Sequence, residues 1–278
     1  MKSDIHQLFD HIDQIPRIPE IIKKLLDQIN DPNQDFDEIA DNIEQEPLLS
    51  IKVLRLVNSA HYALPKKISA IKQALMVLGL TEIRNLVILS GIANAMPDVP
   101  TIDINDFWVD SFRTASYAKW LADDAKLSDS DMIFTAGLIG ELGTLLIHLG
   151  NPEAASDILD AIDEGKTPLD SEHHYLGFTR YDVCAELCRQ WALPQALITT
   201  IQASGKPMEE DTAWLSACTL YIARFLSHTH YDDTCDPETI FTGFPVRQWQ
   251  QIGLSEQDIQ AKTQQILTLD IAIEGLLS

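Results

Sequence analysis

The chain has 278 residues, 45% of them hydrophobic and 22% charged, and a formal net charge of −22. That length supports a sizeable core, and the composition excludes a disordered chain. The acidity argues against nucleic-acid binding, which rests on phosphate neutralisation by Lys and Arg, and against docking on anionic lipid.

In chain order, nearly every segment repeats its apolar residues at helical spacing. Ile5, Leu8, Phe9 and Ile12 form a stripe on a first short helix. The connector IPRIPE follows, and a second helix runs from about Pro19 through IIKKLLDQI. Asp35 is placed to cap a third helix, with Glu38 as its capping-box partner and Phe36, Ile39 and Ile43 on the buried side. Pro47 suits the first position of PLLSIKVLRLVNSA, whose apolar residues surround most of the axis. Ser69 caps AIKQALMVL, which ends at Gly79, and Thr81 opens EIRNLVILSGIANAM. After the irregular connector MPDVPTIDIND, helices are expected at 106–126, 129–149, 152–163, 168–176, 180–191 and 194–204. AWLSACTLYIARFLSH and SEQDIQAKTQQILTLDIAIEGLL supply at least two more. No alternating strand run survives, so the class is all-α.

The N-terminus MKSDIHQLFD has no signal-peptide apolar run, and no stretch reaches the roughly 18 apolar residues of a membrane span. The expectation is a cytoplasmic protein with no membrane contact. Its four cysteines, Cys184, Cys188, Cys218 and Cys235, include no CxxC pair. Cys184 and Cys188 stand four apart in a helical pattern, where they stack on one face as small apolar groups.

Several motifs agree in order and spacing. IPRIPE includes Pro19; EPLLSIKVLRLVNSAHY, from Glu46 to Tyr62, includes Pro47, Asn58 and Ser59; ISAIKQALMVLGL includes Gly79 and is followed by EIRNLV. Later come FW at 107–108, TAGLIGELG at 135–143, LGF at 176–178 and WALP at 191–194, with Trp191 and Pro194. Over roughly residues 15–226 these resemble the HDOD family, the bacterial output-domain branch of the HD hydrolase superfamily. The resemblance implies an HD-domain-like multi-helix bundle. It would comprise an N-terminal helical part over 1–100, an HD-like core over 101–226 and a C-terminal helical extension over 227–278. Read physically, Asn58 closes an apolar run, where a side-chain amide can terminate a buried helix, and Ser59 and Ala60 permit close helix approach.

The resemblance also implies where a metal site would stand, and the chain departs from it throughout. In HD hydrolases, histidines and aspartates hold a divalent metal that activates water against a phosphate ester. Here the early histidine position is Asp110, the His-Asp pair reads Gly140-Glu141, and the lysine position is Thr144. Arg180 follows LGF where related proteins carry a histidine; Ala203, Ser204 and Gly205 replace a later histidine pair; Arg224 falls on the distal aspartate. Glycine offers no ligand, and arginine cannot shed its proton to become one. The expectation is a degenerate site with no metal, no cofactor and no catalytic residue. Arg180 and Arg224 are candidates to replace the missing cation by pairing with Glu141 or Asp110, because a lone buried carboxylate is costly. The alternative is that these side chains point to solvent.

The eight histidines suggest no better site. His173 and His174 are adjacent, about 100° apart on a helix, which suits one shared metal poorly. HTHYDDTC, residues 228–235, gathers His228, His230, Asp232, Asp233 and Cys235, but at no established ligand spacing. His148 on an apolar helix reads as a satisfied core histidine.

Three functions compete. The resemblance implies a non-enzymatic relay that binds other signalling proteins, acting in trans because no receiver or cyclase sequence is attached. The second is a small-ligand sensor, for a nucleotide, using the vacated pocket through Arg180 and Ser204. The third is a residual metal-dependent phosphohydrolase. The last helix, with Leu269, Ile273 and Leu276 on one face, is expected to pack back on the domain, a homodimer interface being its other use.

Overall fold

The computed structural model describes residues 4–12, 20–31, 33–58, 62, 64–96, 99–191, 193–208, 214–230, 243–263 and 265–266. Among them there is no strand. The helices are α1 (Ile5–Asp10), α2 (Glu20–Asn30), α3 (Phe36–Glu44), α4 (Pro47–Val57) and α5 (Ile71–Ala95). They continue as α6 (Ile104–Asp124), α7 (Ser130–Ile139), α8 (Leu142–Gly150), α9 (Pro152–Asp163) and α10 (Pro168–Tyr175). The last are α11 (Arg180–Gln190), α12 (Gln195–Ala203), α13 (Leu215–His230) and α14 (Val246–Gln251), with a 3-10 turn at Glu256–Asp258. Pro19, Ser59, Cys235 and the face built from Leu269, Ile273 and Leu276 lie outside the described residues.

The chain divides into two compact units, Met1–Ile15 with Asp98–Ala261, and Pro16–Pro97 with Lys262–Ser278. The division differs from the three-part sequence expectation in two ways. Helix α1 joins the unit of α6–α14, where it packs on α8. Of the segment after 226, the described part up to Ala261 goes with the larger unit: α13 runs on to His230, and α14 packs against it.

In the smaller unit, α2, α3 and α4 each pack on α5 around Leu25, Ile39, Ile43, Val53, Leu75 and Ile83. Asp35 caps α3 by accepting from the backbone N–H groups of Asp37 and Glu38. Phe36, expected inside, is 45% exposed, because the first turn of α3 starts outside its packed face. Ile51 on α4 is likewise exposed, so that helix is buried on fewer sides than its composition suggests. Gly79 breaks α5 with φ +76°, ψ 165°, where the sequence places a helix end. A left-handed φ is one that glycine adopts without a Cβ penalty.

Asn58 ends α4. Its amide nitrogen donates to the carbonyls of Leu54 and Ile68, both at 2.7 Å, and its oxygen accepts from Ile68 N–H at 2.8 Å. One side chain thus closes the helix and pins the loop ten residues on. Asn58→Ala is expected to cost about 2 kcal/mol, since it strands half-buried backbone groups. Urea denaturation followed by circular dichroism checks this, and an unchanged midpoint would contradict it.

The larger unit is organised by α6, whose most extensive contacts are with α7 and α13. Phe112 and Phe134 meet edge to face with centroids 5.7 Å apart, beside buried Tyr117, Leu121 and Leu138. Trp249 of α14 is fully buried, donates to Ser255 O at 2.9 Å and packs on Phe244. Phe244 in turn meets Phe225 of α13.

The expected single helix over 129–149 is two helices, interrupted at Gly140–Glu141. Ser130–Gly150 has a mean hydropathy of 1.6 over an eighteen-residue window, long and apolar enough by composition alone to cross a membrane, although Glu141 interrupts its apolar run. That window is 78% buried within the protein, as a pair of core helices would be.

Candidate functional site

The break between α7 and α8 delivers Glu141 into the interior. Gly140 ends α7, and Glu141 is the N-cap residue of α8 without a side-chain cap bond of its own. Its carboxylate is free to turn toward α11 and α13, and its side chain is 8% exposed.

Two arginines meet it there. Arg180 is the first residue of α11 and donates from an Nη to Glu141 Oε2 at 3.0 Å. Arg224, from the middle of α13, places its Nε 2.6 Å from Glu141 Oε1, an ion contact whose N–H is not aligned as a hydrogen bond. The Tyr181 hydroxyl donates to the same oxygen at 3.0 Å. The Arg224 guanidinium lies over the Tyr181 ring, 4.5 Å from its centroid, adding a cation–π contact.

Arg180 also holds a second carboxylate. Glu172, in α10 and 2% exposed at its side chain, accepts from Arg180 Nε at 2.5 Å and from Arg180 backbone N–H at 2.9 Å. Thr179 and Asp182 form a reciprocal capping box, so the first turn of α11 is fixed before Arg180 is engaged. Gly143 allows this approach, because a Cβ there would stand 1.8 Å from the Arg180 carbonyl oxygen.

The two carboxylates shift in opposite directions for one reason. Burial alone would raise Glu141, but Arg224 and Arg180 outweigh it and hold the carboxyl at about 2. Glu172 feels the same burial with only Arg180 against it, and its pKa ends raised. Burial works against both arginines, yet Glu172 and Glu141 for Arg180, and Glu141 for Arg224, raise their pKa values. Burial pushes the Tyr181 hydroxyl up, leaving it a proton donor to Glu141.

A pH dependence follows. Glu141 is depressed in the folded state from an ordinary 4.5, so its contribution is complete above about 4.5 and is lost as pH falls through about 2. The size is about 3 kcal/mol, partly offset by Glu172, which gains from protonation in the folded state. Glu141→Gln should flatten the acid limb of stability between these pH values. Parallel acid limbs for the two proteins would contradict the assignment.

The remaining sequence candidates fall elsewhere. Asp110 of α6 accepts a short hydrogen bond from the Ser227 hydroxyl and lies 4.0 Å from His228 Nε2, rather than contacting either arginine. The Thr144 hydroxyl is buried without a hydrogen-bond partner. Ser204, expected at the pocket, is buried and donates to Ile201 O at 2.7 Å, so its hydroxyl belongs to the end of α12. Gly140 has no side chain to offer, and a Cβ there would stand 3.9 Å from an Nη of Arg224. His148 is bonded through Nδ1 to Thr101 Oγ1 at 2.7 Å, a satisfied core histidine. Cys184 and Cys188 are buried, and the Cys184 thiol, raised by its contact with Cys188 and by burial, donates to Ile139 O. Most of the 228–235 segment lies outside the described residues.

Sequence reasoning missed Glu172 and Tyr181. Their available signal was position: Tyr181 follows Arg180 directly, and Glu172 precedes it by eight residues across a tight LGF bend.

A metal ion does not fit this donor set. Both Glu141 oxygens are committed, Asp110 is engaged by Ser227, and two guanidinium groups occupy the centre. Among the described residues no three His, Cys, Asp or Glu side chains converge as a ligand group.

The family model of the HDOD domain matches residues 15–207. The chain belongs to the HDOD family. A Treponema pallidum protein of uncharacterised function is 26% identical over 269 residues, covering 91% of this chain and 50% of its own length. The chain therefore spans about half the length of that curated relative. Among solved structures, a candidate phosphohydrolase of Shewanella amazonensis SB2B is 26% identical with a TM-score of 0.80, covering 99% of this chain and 100% of its own. An HDOD domain protein of unknown function from Geobacter sulfurreducens has a TM-score of 0.76 at 22% identity, covering 98% of this chain and 96% of its own. These likenesses establish an HD-like helical fold, and the relatives are bacterial.

Proposed function

We propose that this HDOD domain is a non-enzymatic signal-relay module that acts by binding other signalling proteins in the cytoplasm, its metal site replaced by arginines. The observation that carries the reading is the pair of guanidinium groups on Glu141, with Arg224 beside the position where the superfamily's histidine would stand. A cation supplied by the chain itself balances the carboxylate that a metal would otherwise balance. The side chains left over hold structure: Glu172 fixes Arg180, and Tyr181 fixes Glu141.

The designation of the Shewanella amazonensis relative as a candidate phosphohydrolase sets the competing reading. Elemental analysis of protein purified without chelator or metal-affinity tag separates the two, reading Fe, Mn, Zn, Ni and Mg alongside a phosphodiester hydrolysis assay. The relay reading expects substoichiometric metal and no hydrolysis above the buffer rate. A stoichiometric ion, or metal-dependent turnover, would overturn it.

A further inference from the structure

Beside the buried ion cluster lies a cleft of about 600 Å³, inside the usual range of small-molecule sites, roughly 300–1,000 Å³. Its apolar wall is Pro168 and Leu169 of α10 with Tyr221 and Phe225 of α13, and its floor includes Arg180 and Arg224. Tyr221, Arg224, Phe225 and His228 follow one another at helical spacing, so a single face of α13 presents both the rings and the cations.

The floor has unused donors. Arg180 spends its Nε and one Nη on Glu172 and Glu141, and Arg224 spends its Nε contact on Glu141. Among the described residues the other Nη of Arg180 and both Nη groups of Arg224 have no hydrogen-bond partner. The side chains that carry them are only 16% and 13% exposed. Guanidinium edges in an apolar cleft call for an acceptor, best a planar or tetrahedral anion taken by two N–H groups. The first turns of α10 and α11 also open on the cleft, adding positive helix ends.

Charge limits what can enter. Glu141 and Glu172 neutralise the two arginines, and Asp170 at the wall is matched by Lys206 at the rim. The cleft therefore has directed donors without a large positive excess. That favours one acidic head over a polyanion, with an apolar or aromatic body against Leu169, Tyr221 and Phe225.

We propose that this cleft binds a small organic anion, with its single carboxylate or phosphate head on Arg224 and Arg180 and its apolar body on the α10–α13 wall. This rests on the relay reading, in which guanidinium groups fill the site, and it gives that relay a chemical input.

The test is isothermal titration of the full chain with phenylacetate and phenyl phosphate, beside acetate, inorganic phosphate and neutral 2-phenylethanol. Saturable binding is expected for at least one of the two aromatic anions, and the stronger of them identifies the head. The headless and bodiless probes should each bind about tenfold more weakly. Arg224→Gln should weaken the preferred probe about tenfold. Should that variant fail to fold, Thr229→Trp fills the cleft without touching the ion cluster, and it should abolish binding while melting normally. No saturable heat from either aromatic anion up to about 5 mM, or equal binding in folded Thr229→Trp, would overturn the proposal. A metal-free chain that binds no probe defeats the ligand alone, whereas stoichiometric metal defeats the relay reading beneath it.

Discussion

Gly143→Ala is expected to be among the most destabilising single substitutions in the chain, at about 4 kcal/mol or more. The added Cβ would stand 1.8 Å from the Arg180 carbonyl oxygen, 2.6 Å from its carbon and 2.9 Å from its Cα. These are backbone atoms, so no rotamer change relieves the clash. The first turn of α11 would have to retreat, and retreat pulls Arg180 from both Glu141 and Glu172. Overpacking and loss of the ion cluster then add. Gly165→Ala is the control, because a Cβ there meets nothing within 4 Å and only its φ of +89° penalises it. That penalty is about 1 kcal/mol. Urea midpoints measured side by side decide the matter, and equal losses for the two variants would contradict the close approach.

Arg180→Leu is expected to cost about 3–5 kcal/mol near neutral pH, because it leaves Glu172 buried without a cation. Glu141 fares better, keeping Arg224 and the Tyr181 hydroxyl. The variant should also gain more from acid than the parent does, because Arg180 no longer holds the Glu172 carboxyl down. With its folded pKa raised above the unfolded value, unpaired Glu172 binds a proton more tightly in the folded state, so stability rises as pH falls through that pKa. Adding Glu172→Leu should recover much of the loss, since replacing a whole buried pair by apolar groups is often neutral. Denaturation at pH 7.5 and 5.5 checks both statements. A double variant no more stable than the single one would show that Arg180 works through something other than Glu172.

The all-helical class was readable from apolar spacing, and cap residues such as Asp35 and Pro47 mark helix starts where the structure has them. Helix 129–149 was misread as continuous because Gly140 and Glu141 sit inside an unbroken apolar pattern, and only tertiary partners pull Glu141 inward. The candidate site was legible at Glu141, Arg180 and Arg224, since a change of ligand type to glycine and arginine is visible residue by residue. Glu172 was not legible. An acid beside two histidines on a short helix looks like solvent-facing polarity until Arg180 is brought against it. Ser204 failed for the converse reason: a serine at a helix end satisfies itself on the nearest carbonyl, here Ile201, and has nothing left to offer a pocket.

The buried carboxylate has a consequence before the protein is folded. In the unfolded chain, Ser130–Gly150 has the length and composition of a membrane span, with Asp131 and Glu141 as its acids. Asp131 lies at the end, but Glu141 falls near the middle, where an acidic residue opposes partitioning by roughly 2.5–3.5 kcal/mol. Replacing Glu141 with leucine would remove that opposition from the nascent chain while also emptying the arginine site. The side chain that must be compensated in the finished domain thus also lowers the tendency of the unfinished segment to partition into a bilayer.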